Sequence, residues 1–327
     1  MKDRILELLR QESGYLSGQE MSTLLGVSRA AVWKAVEALR KEGYTIDSAP
    51  NRGYHLDAPT GRLSAREIAA RLDGHPWAEL VQVLDSVDST NNLAKTLAAQ
   101  GAPAGTVIVA DSQTGGRGRM GRSFVSPPGV GVYLSVILRP EAPPEELMHL
   151  TCAVAEVLCD GIEVASGLRP GIKWTNDLVS GGRKLCGILT ELSLEAESGH
   201  VQYAVVGAGV NCDQTLSDFP PEIRDMAGSL SMLTGKAVSR NTLAAEMIRA
   251  LSRLDGDLVE NRQEWMDRYR RDCVTIGRAV SVSRAGETQW GQAVDVDDRG
   301  ALLVDFGQGP EAVQSGEVSV RGMYGYV

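Results

Sequence analysis

Residues 115–121 read Gly-Gly-Arg-Gly-Arg-Met-Gly, a stretch whose residue types could do chemistry together. Glycines let a backbone approach a ligand closely and turn its N–H groups toward phosphate oxygens. Arg117 and Arg119 add delocalised charge and forked donors beside those amides. The segment suits a phosphate or an acyl-phosphate held under a loop that folds over it. Gly116 to Gly121 also satisfies G-x-G-x-x-G, but that dinucleotide fingerprint needs a helix directly after it. Here Arg122-Ser123-Phe124-Val125-Ser126-Pro127-Pro128-Gly129 follows, and two prolines with a glycine do not open a helix. A Rossmann site is excluded.

Three further polar groups accompany the loop. Ser89-Thr90-Asn91 falls between a strand (81–84) and a helix (92–100), where its hydroxyls and amide can face a strand-end cleft. A plain N-cap explains such a triplet equally well. Gln113 precedes the glycine loop, with Asp111 and Ser112 as turn residues. Lys173-Trp174-Thr175-Asn176-Asp177 ends a strand, and Arg183-Lys184-Leu185-Cys186-Gly187 begins the next after a Gly181-Gly182 turn. A Lys–Asp pair across a hairpin is by itself an ordinary surface ion pair.

The elements that must position these groups alternate. Strands are expected at 107–110, 132–138, 172–174, 184–191 and 204–210, and helices at 145–159 and over the long stretch 240–271. In the latter, Leu243, Met247, Leu251 and Leu254 face the core. The class is α+β, with a mixed sheet whose helices cover one face. In front, Ile5, Leu8 and Leu9 mark a short helix. A second, capped by Ser17, stops at Gly26, and a third, capped by Ser28, turns Val32, Val36 and Leu39 inward. Strands at 44–47 and 53–56 flank Pro50-Asn51-Arg52, completing a winged helix-turn-helix. Ser28, Arg29, Lys34 and Arg52 are its candidate DNA contacts. Residues 1–57 hold eight Lys/Arg and eight Asp/Glu, so charge does not decide between DNA binding and a plain interaction module. At the other end, alternating residues broken by Gly286, Gly291, Gly300 and Gly307 give short strands at 275–282, 290–296, 302–306 and 317–320, a small SH3-like β-barrel. The expected division is 1–57, a linker at 58–66, a catalytic domain at 67–272 and the barrel at 273–327.

At 327 residues the chain can hold two or three domains, and a net charge of −9 argues against indiscriminate nucleic-acid binding. No apolar run reaches bilayer length and the first residues are too charged for a signal peptide. Five cysteines without a C-x-x-C pair fit reduced thiols, with Cys152 and Cys159 facing a core, so a cytoplasmic location with no membrane association is expected.

Taken together, Ser89-Thr90-Asn91, Gly116-Arg117-Gly118-Arg119-Met120-Gly121, Lys173-Trp174-Thr175-Asn176-Asp177 and Arg183-Lys184-Leu185-Cys186-Gly187-Ile188 resemble, in order and spacing, the biotin–protein ligases. With the winged module, the chain is similar to the bifunctional ligases that also repress the biotin operon. Met120 stands where arginine is frequent and Thr175 where proline is. The resemblance implies ATP-dependent formation of biotinyl-5′-AMP and transfer of biotin to a lysine of the biotin carboxyl carrier protein. It implies Lys184, Arg119 and Asp177 as the catalytic groups. Ser89, Thr90, Asn91, Gln113, Arg117, Gly118, Arg119 and Lys184 would bind biotin. Gly116, Arg117, Arg119, Asn176, Asp177 and Asn211 would bind the nucleotide with its Mg²⁺, with no metal site of the protein's own. It further implies operator DNA as a partner and a homodimer when the adenylate is bound. A biotin-sensing regulator without ligase activity, and a lipoate-type ligase, are the competing readings.

Overall fold

The computed structural model describes residues 1–11, 15–41, 44, 46–49, 52–56, 62–195, 199–284, 287–314 and 319–322. The chain divides into two compact units, Met1–Arg62 and Leu63–Val327.

The first unit contains α1 (Lys2–Gln11), α2 (Gly18–Leu25), α3 (Arg29–Lys41), β1 (Ile46–Ala49) and β2 (Gly53–Leu56). Its helix ends follow from local chemistry. Ser17 Oγ accepts from the Glu20 amide at 3.1 Å while Glu20 Oε2 accepts from the Ser17 amide at 2.9 Å, a reciprocal cap. Gly26 closes α2 at φ +64°, and Ser28 Oγ accepts from the Ala31 amide at 3.2 Å to start α3. Ile5, Leu9, Met21, Val32, Val36 and Leu39 form the shared core. The wing pairs Ile46 with Leu56 in antiparallel register. Its first strand begins at Ile46, later than expected, and Tyr44 ahead of it is packed into the core. Pro50 and Asn51 at the expected turn lie outside the described residues.

The second unit begins with α4 (Ala65–Leu72). Leu63 is buried, Ser64 caps α4, and the Ser64 amide donates to Asn241 Oδ1 at 2.9 Å. The linker expected over 58–66 therefore ends before Leu63, and its positions 58–61 lie outside the described residues. There follow β3 (Val81–Leu84), α5 (Thr90–Ala99), β4 (Val107–Ala110), β5 (Gly131–Leu138), α6 (Leu150–Ser166), β6 (Gly171–Lys173), β7 (Asp177–Ser180), β8 (Arg183–Leu194), β9 (Val201–Asn211), α7 (Leu230–Thr234), α8 (Arg240–Ser252) and α9 (Arg262–Asp272). The seven strands form one mixed sheet in the order β3-β4-β5-β9-β8-β7-β6, parallel only between β3 and β4.

Helices cover both faces of this sheet, where one covered face was expected. Val107, Val109, Val132, Leu134 and Val206 point to the core built with α4, α6, α8 and α9, whereas Ile108, Ile137 and Val205 point to Ala94 and Ala98 of α5. The strands are near-continuous apolar runs whose successive side chains point to opposite faces, so both faces need cover. The helix expected at 145–159 starts at Leu150, after a 3₁₀ turn at Pro144–Glu146, and runs on to Gly167 at φ +75°. The stretch 240–271 is two helices separated by turns at 253–261, with Gly256 at φ +91°.

The carboxy-terminal strands β10 (Ala279–Arg284), β11 (Glu287–Val296), β12 (Leu302–Asp305), β13 (Pro310–Val313) and β14 (Ser319–Gly322) form a five-stranded antiparallel sheet, order β13-β12-β11-β10-β14. Gly286, Glu317 and Val318 lie outside the described residues. Among the described residues no helix is long and apolar enough to cross a membrane.

Candidate active site

A small, partly open pocket lies on the α5 face of the sheet, lined by Ser89, Thr90, Asn91, Gln113, Arg117, Phe124, Gly187, Leu189, Gly207, Ala208 and Gly209. Register explains its shape. Across three strands Ser135, Gly207 and Leu189 stand in one row, and Tyr133, Gly209 and Gly187 in the next. Glycine inside a strand lets another group approach the backbone closely. A Cβ on Gly207 would collide with Asn91 Oδ1, and one on Gly209 would meet the Phe124 ring at 2.5 Å. These glycines give the cavity its floor.

The polar wall comes from the start of α5. Ser89 occupies the N-cap position but makes no cap hydrogen bond, and it is buried with Thr90 and Asn91. The plain N-cap explanation therefore fails. Gln113 Oε1 accepts from the Thr90 amide at 2.9 Å and from Thr90 Oγ1 at 3.1 Å, while its Nε2 donates to Ser126 Oγ at 2.9 Å. Ser135 Oγ lies 2.8 Å from Thr90 Oγ1 and 2.6 Å from Asn91 Oδ1. Asn91 Nδ2 donates to Glu191 Oε2 at 2.9 Å and to the Leu189 carbonyl at 3.2 Å. Although burial works to raise it, hydrogen bonds from Lys95 and Asn91 hold the Glu191 carboxyl below its ordinary value.

Cations gather beside this pocket. Lys173 and Asp177 face each other across the β6–β7 hairpin, and Asp177 faces Gly187 across β7–β8. Lys184 Nζ lies 2.6 Å from Asp177 Oδ1 and 5.9 Å from the centre of the Phe124 ring, with the two charged side chains 27% and 16% exposed. Partial burial with a carboxylate partner fixes where the ammonium points. Arg119 Nη1 donates to Asn176 Oδ1 at 2.9 Å, and Asn176 Nδ2 donates to the Ile188 carbonyl at 2.8 Å. Burial lowers the Arg119 pKa against the opposing pull of Asp177, which leaves a charged guanidinium partly stripped of water. Lys184, Asp177, Asn176 and Arg119, scattered in the sequence, thus form one charged cluster next to the pocket.

The glycine loop is a tight excursion. The Phe124 amide donates to the Gly116 carbonyl at 2.9 Å and the Gly118 amide to the Arg122 carbonyl at 2.7 Å, so the Gly118 N–H is already committed. Met120, at φ +55°, is 60% exposed. Arg117 departs from the expected pairing with Arg119: its Nη1 donates to Asn92 Oδ1 at 3.0 Å and lies 3.5 Å from Glu191. The base of the loop is clamped from both ends. Asp111 Oδ1 takes Arg240 Nη1 at 2.6 Å, Asp111 Oδ2 takes the Gly129 amide at 3.1 Å, and Arg240 Nη1 also donates to the Gly131 carbonyl at 3.1 Å.

Two residues near the cluster do structural work. Asn211 Nδ2 donates to the Gly228 carbonyl at 3.0 Å and Oδ1 accepts from Gln214 Nε2 at 3.1 Å, so the side chain ties a surface loop to the end of β9. Trp174 is buried, its indole donating to the Gly300 carbonyl at 3.0 Å and its amide to Thr275 Oγ1 at 2.9 Å. The carboxy-terminal segment therefore reaches the turn that carries Asn176 and leads into Asp177. Residues Gly187, Gly207 and Gly209, together with Ser135, Glu191 and Lys95, were not singled out as pocket groups from the sequence. A Gly-x-Gly at period 2 inside a strand was the available signal. Among the described residues no three or more His, Cys, Asp or Glu are grouped to hold a metal ion.

In the first unit, Ser28, Arg29 and Lys34 are exposed at the start and outer face of α3, and Arg52 is exposed on the wing with its guanidinium 4.2 Å from the centre of the Tyr15 ring.

Comparison with known proteins agrees with this arrangement. Residues 2–55 match an HTH domain, 83–211 the biotin/lipoate A/B protein ligase family and 275–321 the biotin protein ligase C-terminal domain. The chain is 35% identical to the bifunctional ligase/repressor BirA of Bacillus subtilis, covering 98% of each chain. Against the protein of the same name from Escherichia coli the identity is 31%, over 98% of this chain and 99% of that one. The biotin protein ligase of Aquifex aeolicus, solved with biotin and ATP, superposes with a TM-score of 0.64 at 28% identity, covering 74% of this chain and 98% of its own. Fold, pocket and full-length similarity converge: the chain belongs to the family of bifunctional biotin ligase/repressors.

Proposed function

We propose that the protein joins biotin to AMP at the expense of ATP, passes biotin to a lysine of the biotin carboxyl carrier protein of acetyl-CoA carboxylase, and represses biotin genes by binding operator DNA. The observation that carries this reading is the charged cluster at Lys184, where an ammonium and a guanidinium flank a polar pocket.

In this reading the ureido ring of biotin, with one carbonyl acceptor and two N–H donors, meets Ser89, Thr90, Asn91 and Gln113. Its apolar bicycle lies on Gly187, Gly207 and Gly209. The carboxylate then reaches Lys184 and Arg119. Its oxygen attacks the α-phosphorus of ATP, the α–β phosphoanhydride bond breaks, and pyrophosphate leaves. No enzyme nucleophile is required. The residues hold two anions together and offset charge growing on the phosphoryl oxygens. Asp177 keeps Lys184 aimed and Asn176 keeps Arg119 aimed. In the second step the neutral amine of the acceptor lysine attacks the acyl carbon and AMP departs. Arg117, released from Asn92 and Glu191, and Gly116 and Gly118 in the loop close over the adenylate and shield the mixed anhydride from water. Asn211 holds the nucleotide side through the loop it anchors. Asp177 would supply an oxygen donor to a Mg²⁺ ion arriving with the triphosphate, which would offset part of the phosphate charge.

Adenylate binding favours a homodimer that places two α3 helices in successive major grooves, with Ser28, Arg29, Lys34 and Arg52 on phosphates and base edges. Coupling of ~1–3 kcal/mol between the sites gives a several-fold to hundredfold response. The protein works in the cytoplasm.

Transfer of labelled biotin to a carboxyl-carrier domain, with lipoate as control, tests the chemistry. Lys184→Ala and Arg119→Ala are each expected to slow adenylate formation by roughly 10²–10³-fold. A wild-type rate in either variant removes that residue from its role. No transfer by the wild-type protein favours a biotin-sensing regulator, and transfer of lipoate alone favours a lipoate ligase. Cleavage of the loop at Arg117, Arg119 and Arg122 should slow with biotin and ATP present, and undiminished cleavage counts against closure.

A further inference from the structure

Trp33 is the one aromatic side chain of α3 and it stands on the outer face. The inner face of the helix is closed, with Val32, Ala35, Val36 and Leu39 buried, yet Trp33 leaves 53% of its surface open. Its neighbours on the outer face are Arg29 and Ala30, one turn before it, and Lys34 beside it, all exposed. One turn later Glu37 is paired with Arg40 at 2.7 Å, so its charge is offset by its own helix. The outer face is thus a large aromatic ring framed by cations, with its one carboxylate neutralised. Indole is among the largest apolar groups a protein can offer to a partner.

The partner follows from the setting. α3 is the second helix of the helix-turn-helix, the element that enters a major groove, and the inference rests on the DNA-binding reading above. Arg29 and Lys34 suit phosphates and acceptor edges. In that groove thymine alone presents an apolar group, its C5 methyl, which cations cannot read. We infer that Trp33 is a base-reading residue, its indole packing against a thymine methyl in each operator half-site while Arg29 and Lys34 fix the helix on the backbone. Trp33 sets sequence preference, whereas the cations set general affinity.

The two contributions separate by salt and by base chemistry. Duplexes carrying a randomised inverted repeat are selected with the full-length protein in the presence of biotin and ATP. The enriched duplex is then compared with a scrambled one by fluorescence anisotropy. Trp33→Ala is expected to weaken binding to the enriched duplex roughly tenfold or more. Affinity for the scrambled duplex, the slope of log K against log salt and the sedimentation behaviour stay as in the wild type. Lys34→Ala should instead weaken both duplexes and reduce the slope by about one. Replacing thymine with deoxyuridine, one position per half-site at a time, should find a site where the wild type loses affinity and Trp33→Ala loses nothing more.

An enriched duplex bound equally by wild type and Trp33→Ala overturns the inference, and so does a loss shared by the scrambled duplex. A loss of dimerisation in Trp33→Ala assigns the ring to a protein interface and overturns it too. Failure of the wild-type protein to enrich any duplex removes the DNA-binding reading itself.

Discussion

Gly207→Ala is the smallest change that tests whether the strand glycines shape the pocket. The added methyl would sit against Asn91 Oδ1, inside the 3.0 Å limit below which something must move. Asn91 has little freedom to yield. It is buried, and its amide is held at 2.6 Å by Ser135, 3.2 Å by the Leu189 carbonyl and 2.9 Å by Glu191. Neutral hydrogen bonds contribute ~1 kcal/mol each and one to a carboxylate ~1.5–3, so displacing Asn91 should cost the unit about 4 kcal/mol. Alanine regains roughly 0.5–1 kcal/mol over glycine in a strand, which does not close the gap. For a unit of this size that corresponds to a fall in Tm of roughly 6–12 °C. Biotin affinity should fall as well, because the displaced amide enters the cavity. Calorimetry and biotin titration are to be run on Gly207→Ala, Asn91→Ala and the double variant. Removing the Asn91 side chain makes room for the methyl, so Gly207→Ala should have almost no effect in the Asn91→Ala background. A single variant as stable as wild type, or a penalty undiminished in the double variant, would refute the reasoning.

Three further outcomes are expected. Asp111→Ala leaves Arg240, only 3% exposed, without its carboxylate. It should lower stability by about 3 kcal/mol in urea titrations and raise KM for ATP, while Asp111→Asn does less, because its amide oxygen can still accept from Arg240. Glu191 has a folded-state pKa below its ordinary value of 4.5, so its contribution is full above that value and vanishes as pH falls through the lower one. Acid denaturation of Glu191→Gln should accordingly show a shallower loss of stability below about pH 4.5, and an unchanged acid limb would contradict this. All five cysteines are buried and unpaired, with burial pushing the thiols of Cys152 and Cys186 up to about 12. Ellman's reagent at pH 8 should therefore label no thiol quickly before denaturant is added, and one fast equivalent in the native protein would be contrary.

What could be read from the residues alone was whatever declares itself locally. Ser17 with Glu20, Gly26 and Ser28 outline the helix-turn-helix because caps are written within four residues. The glycine–arginine loop, Lys184 and Asp177 stand out because few residue types suit phosphoryl chemistry. Pairings across the chain were not legible. Nothing near Asp111 announces Arg240, 129 residues away, and the row of Ser135, Gly207 and Leu189 exists only once three strands are in register. Arg117 shows a different difficulty, since composition assigns it charge but not direction, and it turns toward Asn92 and Glu191. The missed break after α8 lacks a proline, and Gly256 alone was too weak a signal. Pro143 and Pro144 did offer a boundary ahead of α6, which begins at Leu150.

The two hydrogen bonds that fasten Trp174 to Thr275 and Gly300 bear on how such proteins can be recombined. Exchanging the carboxy-terminal sheet for one from another protein would preserve the reaction only if the graft delivers a hydroxyl and a loop carbonyl to those same two places. Modularity here stops at a tryptophan, and chimeras joined anywhere after α9 should be chosen for that fit before any other criterion.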